Sequence, residues 1–166
     1  MIDDLKLTKA RQTGVKVLAI VAAVLGATAA AIAFMRSGQV VMIGVSAGAF
    51  VGLAFYAYRL EGNLAARLSV TVAVVGQIAL ILASMAGHAW QLDVHMVFFA
   101  ALAMLTLMTC PASLLVGAGV TAVHHLALTF LWPAMVYPSV DLMENVGWTV
   151  LHAVVVIAET GILLTS

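Results

Sequence analysis

Long apolar runs broken by short polar stretches set the pattern of this chain. Polar residues 1–13, with Lys6, Lys9 and Arg11, lead into an Ala/Val-rich run over about 14–35. Arg36-Ser37-Gly38-Gln39 is a tight turn. A second run covers about 40–58 and ends in a charged loop from Arg59 to Arg67. The third, about 68–87, carries one amide, Gln77. A polar hinge follows, Gly87-His88-Ala89-Trp90-Gln91-Leu92-Asp93-Val94-His95-Met96. The fourth run, about 95–110, ends at Cys110-Pro111; the fifth, about 112–131, ends at Trp132-Pro133; the sixth spans about 147–164. Proline disfavours helix at the residue before it and is tolerated at a helix start, so Pro111 ends one helix and begins the next. Runs of about 20 apolar residues cross a hydrocarbon core of about 30 Å as helices, and ten-residue alternating strand patterns are absent. The pattern predicts an all-α polytopic membrane protein: a lead-in over 1–13 and a six-helix transmembrane domain over 14–166.

Composition sharpens this. Of 166 residues, 64% are apolar and 8% charged, with a mean hydropathy of +1.17. That is too few charges to cover a soluble domain, where about 25% is usual. Seven basic residues balance seven acidic ones, and no basic patch offers a nucleic-acid surface. The single Cys110 excludes an internal disulfide. The N-terminus opens with acids, and the first run is too long for a signal-peptide core, so a retained first helix is expected.

Charge also orients the chain. Cytoplasmic loops are enriched in Lys and Arg. With both termini cytoplasmic, Lys6, Lys9, Arg11, Lys16, Arg59 and Arg67 lie inside and only Arg36 outside. Trp90, Trp132, Tyr137 and Trp148 then form an aromatic belt at the outer interface.

In that arrangement all five histidines fall in the outer half of the bilayer. His88 and His95 flank the hinge. His124 and His125 lie seven or eight residues before Trp132, and His152 is five residues into the sixth run. Polar groups in a membrane are expensive and face the bundle interior or a wet cavity. At 100° per residue, Gln77 shares a face with His88, Glu159 with His152, and Thr121 with the His124-His125 pair. Imidazole is the commonest side-chain metal ligand, and such a ligand count from four helices suits copper or zinc. His88, His95, His124, His125 and His152 are therefore the candidate ligands. Asp93 is a further ligand or a group orienting a histidine through its other N–H; Thr121, Gln77 and Glu159 are supporting groups. Against this stands the plain reading of membrane histidines as interhelical hydrogen bonds. Met85 and Met96 near the hinge are weaker candidates for Cu(I), and Cys110 is at the wrong end of the bundle.

The run from Gly87 to Ala103, GHAWQLDVHMVFFAALA, resembles the N-terminal membrane region of some bacterial methyl-accepting chemotaxis proteins, as do Val123-His124-His125-Leu126 and Leu151-His152-Ala153-Val154 with Glu159 beyond. The resemblance covers residues 68–164. It implies a sensory domain in the bacterial inner membrane, surrounded by lipid, dimeric with a second copy, and normally fused at its C-terminal side to a cytoplasmic signalling domain. This sequence ends at Ser166 without one. The resemblance leaves the ligand open. Four functions compete. The first is a sensor holding copper or zinc. The second is a haem b protein with two axial histidines, for redox or oxygen sensing or electron transfer. The third is a metal or proton transporter using Glu159 as a relay. The fourth is a dinuclear metalloenzyme, ranked last because no nucleophile–base set stands out, so the chain is expected not to be an enzyme.

Overall fold

A computed structural model describes residues 2–36, 39–139 and 141–165. The described residues form α1 (Ile2–Arg36), α2 (Val40–Arg59), α3 (Leu64–Ser84), α4 (Gln91–Val94), α5 (Met96–Leu105), α6 (Pro111–Leu131) and α7 (Leu142–Thr165), with 3₁₀ turns at Thr106–Met108 and Pro133–Met135. No strand occurs among them. Among the described residues, six stretches are long and apolar enough to cross a membrane: Asp3–Arg36, Val40–Arg59, Leu64–Ser84, Gln91–Met108, Pro111–Leu131 and Leu142–Thr165. Each overlaps one of the six predicted spans, with ends displaced by up to eleven residues, α4, α5 and the first 3₁₀ turn together making the fourth. The chain is thus an all-helical protein with the make-up of a multi-pass membrane protein.

The start of the first helix differs from expectation. The polar residues before Gly14 are helical and continuous with the first apolar run; α1 runs unbroken for 35 residues, about 52 Å at 1.5 Å per residue. The turn expected at Arg36–Gln39 falls partly on Ser37 and Gly38, outside the described residues.

The breaks between the other helices follow from local chemistry. Gly62 adopts φ +79° after Glu61 at φ +52°, and the Asn63 side chain then caps α3 by accepting from the Ala66 N–H at 2.8 Å. Thr109 takes a left-handed conformation and Cys110 an extended one, as the residue before a proline prefers, and Pro111 opens α6 where its missing N–H costs nothing. Beyond the second 3₁₀ turn, Asp141 Oδ1 accepts from the Glu144 N–H at 2.9 Å and so starts α7.

Packing is uneven. Helices α1, α2 and α3 pack closely together, and α3 is the central post, with Val70, Val74, Ile78 and Leu82 fully covered. A Cβ on Gly76 would run into the Phe50 ring, so this seam closes around a glycine. Leu102 and Leu105 of α5 join α6 to the core. Helix α7 is the least engaged: its buried residues are Asn145, Val156 and Thr160.

Candidate functional site

The hinge positions the first histidine. Helix α3 stops at Ser84, and Gly87 at φ +72° turns the chain back. Gln91, fully buried, ties this turn down: its Oε1 accepts from the Gly87 N–H at 3.0 Å, and its Nε2 donates to the Ala134 carbonyl at 3.0 Å. One turn later His95 stands at the junction of α4 and α5.

Three histidines from three helices meet there. The His95 ring centroid lies 4.8 Å from that of His152 on α7 and 5.3 Å from that of His125 on α6, and the latter two are 5.6 Å apart. Their orientation is local. Side chains on a helix point back over the preceding turn, and each ring places Nδ1 on the carbonyl four residues earlier: His95 on Gln91 at 3.1 Å, His125 on Thr121 at 2.9 Å, His152 on Trp148 at 2.7 Å. A carbonyl oxygen only accepts, so Nδ1 carries the ring proton in all three and Nε2 keeps a lone pair. For His95, 1% exposed, and His125, 5% exposed, that Nε2 is buried with no partner among the described residues. An unsatisfied buried acceptor costs about 1–3 kcal/mol. Two such lone pairs stand in this one cluster.

The triad stands at one end of a cavity of about 540 Å³ between α5, α6 and α7. Phe99, Leu126 and Ile157 supply bulk on its walls, and Gly119 and Gly161 leave room. Thr160, also on the wall, has a buried hydroxyl without a partner. Among the described residues, no three His, Cys, Asp or Glu side chains are grouped so as to hold a metal ion; the three rings pack on one another in tilted and stacked contact.

Sequence reasoning had expected five histidines in one layer. His124 borders the triad, 5.2 Å from His125 and 5.7 Å from Phe98, but is not on the cavity wall. His88 is apart: its Nδ1 accepts from the Trp90 N–H at 3.1 Å, and its ring meets the Trp90 indole edge-on. The end of α3 at Ser84 also breaks the face that Gln77 and His88 were to share. Gln77 instead serves the other side of the bundle, donating to the Ala47 carbonyl at 2.9 Å against Gly26. Asp93 is exposed, and the histidine N–H groups it was expected to orient are held by backbone carbonyls. Thr121 does support the site, through its carbonyl, while its hydroxyl donates to the Gly117 carbonyl. Glu159 is half-buried, with Oε2 unpartnered among the described residues, beside the cavity and not on its wall.

Tyr137 was missed. It is 1% exposed, not at a lipid interface as the aromatic-belt reading had it. Its ring stacks on His95 at 5.5 Å and 11°. Its hydroxyl meets the Thr149 hydroxyl at 2.8 Å; that hydroxyl meets Thr129 at 2.7 Å, and Thr129 donates to the His125 carbonyl at 2.6 Å. Burial pushes the Tyr137 phenol above its usual range, which keeps it a hydrogen-bond donor. The one signal in the sequence was Tyr137-Pro138 in the loop between the fifth and sixth runs.

Comparison with protein-family models, with curated proteins and with solved structures found no match. The site rests on its own geometry.

Proposed function

We propose that this chain is a membrane sensory domain that binds copper or zinc through His95, His125 and His152. The observation that carries the reading is the fixed tautomer of the three rings: each Nδ1 is committed to a backbone carbonyl, which leaves three Nε2 lone pairs in one cluster. A hydrogen bond donated by the other ring nitrogen is the usual companion of a metal-ligating histidine. A metal would replace ring–ring packing by three Nε2 bonds of about 2.0–2.1 Å, with His124 as a neighbouring reserve ligand. The proton-free nitrogens suit copper and zinc, which both accept imidazole.

The haem b alternative fits less well. Axial histidines stand on opposite faces of a macrocycle, whereas these rings touch and leave no slot between any two.

The orientation with both termini cytoplasmic is supported by the placing of the basic residues. The Arg59–Arg67 turn packs against Gln12 near Lys9 and Arg11, so these cations share one end, and the histidine hinge belongs to the other, outer end. His152 is the link from the triad to α7, the least anchored helix. Drawing its ring toward a metal shifts α7, and the C-terminal end of α7 is where the chemotaxis-like resemblance would attach a cytoplasmic output domain. That resemblance also suggests a homodimer in a bacterial inner membrane.

The test is elemental analysis of the purified protein with X-ray absorption at the metal edge. About one copper or zinc per chain with a nitrogen-only shell is expected, falling at least tenfold in His95→Ala, His125→Ala and His152→Ala and unchanged in His88→Ala. No bound metal after reconstitution, or equal loss in all four variants, overturns the reading.

A further inference from the structure

A second groove opens at the end of the bundle away from the histidines. It holds about 400 Å³ between α1 and the 3₁₀ turn Thr106–Met108, and its wall includes Lys6, Lys9, Thr13, Gly14, Val17 and Leu107. At 100° per residue the five that belong to α1 share one face. Helix and turn are in close contact there: a Cβ on Gly14 would stand 2.6 Å from the Leu107 carbonyl oxygen. The depth of the groove follows from the turns beside it. A Cβ on Gly62 would meet the Gln12 backbone at 2.9 Å, so Gln12 is level with the turn joining α2 to α3, as Gly14 is with the turn joining α5 to α6. Irregular backbone of this kind stands where spans leave the hydrocarbon. Lys9 is then about 4.5 Å beyond Gln12 along α1, and Lys6 about 9 Å. The headgroup layer is about 5–8 Å deep on either side of the core. Lys9 is therefore at headgroup depth and Lys6 at its outer edge, while Val17 and Leu107, both exposed, stand at acyl-chain depth.

The charges around the groove are sorted in the same way. Three other cations of this end have partners within the chain. Lys16 Nζ lies 5.7 Å over the Tyr58 ring, the Arg59 guanidinium lies 4.9 Å over the Phe55 ring, and Arg67 donates to the Gly62 carbonyl at 3.3 Å. Lys6 and Lys9 are exposed, and no acid stands on the groove wall among the described residues. Asp3 shares the face of Lys6 one turn further from the membrane, Asp4 is about 160° around the helix from Lys6, and Glu61 belongs to the turn after α2. We infer that this groove binds one anionic phospholipid, its phosphate between the ammonium groups of Lys6 and Lys9 and one acyl chain over Val17 and Leu107. Basic residues beside a membrane span attract anionic headgroups, and an ammonium binds phosphate as a point charge. The exposed Thr13 hydroxyl is a further donor at the level where phosphate gives way to acyl chain. A zwitterionic lipid brings its own cation to the two lysines and gains less. The inference goes beyond the metal reading and rests on no part of it; it needs only that α1 crosses a membrane.

The experiment titrates the full chain in detergent with dioleoyl phosphatidylglycerol or dioleoyl phosphatidylcholine and counts bound lipid by native mass spectrometry. The first phosphatidylglycerol should bind about tenfold more tightly than the first phosphatidylcholine. Lys6→Gln and Lys9→Gln should each weaken it about fivefold, the two together should remove the preference, and Lys9→Arg should keep it. Both lysines are exposed, so these variants fold as the parent does. Lys16→Gln, whose ammonium is on Tyr58, and Arg36→Gln, at the far end of α1, remove the same charge and should leave binding unchanged. Leu107→Trp fills the groove with both lysines in place and should weaken binding severalfold. Equal affinity for the two lipids, equal losses at Lys9 and at Lys16 or Arg36, or binding untouched by Leu107→Trp overturns the inference. So does full competition by glycerol 3-phosphate or oleate at equal concentration, or a dimer of the chain that excludes lipid from the groove. Metal content should be the same in every variant, so failure here and failure of the metal reading are told apart.

Discussion

The two halves of this bundle solve opposite problems. The half formed by α1, α2 and α3 is closed: small residues let the helices meet, Gly76 lies against the Phe50 ring, and Gln77 locks α3 to the Ala47 carbonyl of α2. The half formed by α5, α6 and α7 is open: glycines of the same kind, Gly119 and Gly161, face empty space, and buried imidazoles stand without partners. Glycine alone does not make the difference, since Gly44, Gly48 and Gly52 of α2 also meet nothing and Gly117 of α6 is packed against Leu105; the cavity and the imidazoles beside it do. In a membrane, association rests on packing and polar contacts without a hydrophobic drive. The closed half has both; the open half holds α7 largely through side chains that meet at the histidines and at the Thr129–Thr149–Tyr137 hydroxyls. Elements with few buried contacts are the ones that move, so α7 is the helix free to respond to whatever occupies the site.

The sharpest way to break this comparison is one substitution made in each half. Gly76→Val drives a side chain into the Phe50 ring, and overpacking of this kind costs about 1–3 kcal/mol or more. Gly119→Val places its Cβ where no atom lies within 4 Å. Thermal unfolding in detergent should show a clear loss for Gly76→Val, restored in part by Phe50→Ala, and little change for Gly119→Val. Equal losses at the two positions would mean that the halves are packed alike, and the open-site argument would go with them.

The fold was largely legible because membrane spans announce themselves by length and apolarity, and Pro111 and Pro133 marked their breaks. Part of the histidine cluster was legible too. His95, His125 and His152 were placed at one depth by counting residues from the ends of the apolar runs, and the structure brings those three together. What counting could not give was rotation and where helices stop. Projecting Gln77 and His88 onto one face assumed that α3 continued to Gly87; it ends at Ser84, and Gly87 turns the chain. The adjacent pair His124-His125 points two ways, and only packing decides that His125 takes the cavity. Tyr137 was lost to a general habit of tyrosines at interfaces, because a loop that folds back over a bundle leaves no periodic mark.

A smaller effect is expected where the hydroxyl chain joins the two sides of the open half. Tyr137→Phe keeps the ring stacked on His95 and removes the hydroxyl that meets Thr149, a net loss of about 1 kcal/mol. Metal content should hold, while hydrogen exchange at the start of α7 should quicken. Unchanged exchange there would show that α7 is fixed by other contacts and that Tyr137 acts only through its ring.

The smallest effect is expected at Asp93, the residue for which sequence and structure disagree most. Carboxylates commonly orient metal-bound histidines, and Asp93 lies only two residues from His95. Yet two residues along a helix is about 200° around it: with His95 buried, Asp93 is turned outward and is exposed. The N–H it would have held is already on the Gln91 carbonyl. Asp93→Asn should therefore leave metal content unchanged and shift stability by no more than about 0.5 kcal/mol, as surface substitutions do. Gln91→Ala, one turn before His95, cuts two buried hydrogen bonds that hold the hinge and should lower metal content severalfold. If Asp93→Asn gave the larger loss, the hinge would have to rearrange on binding so that the carboxylate swings inward, and the carbonyl-held tautomer could no longer stand as the feature that prepares the site.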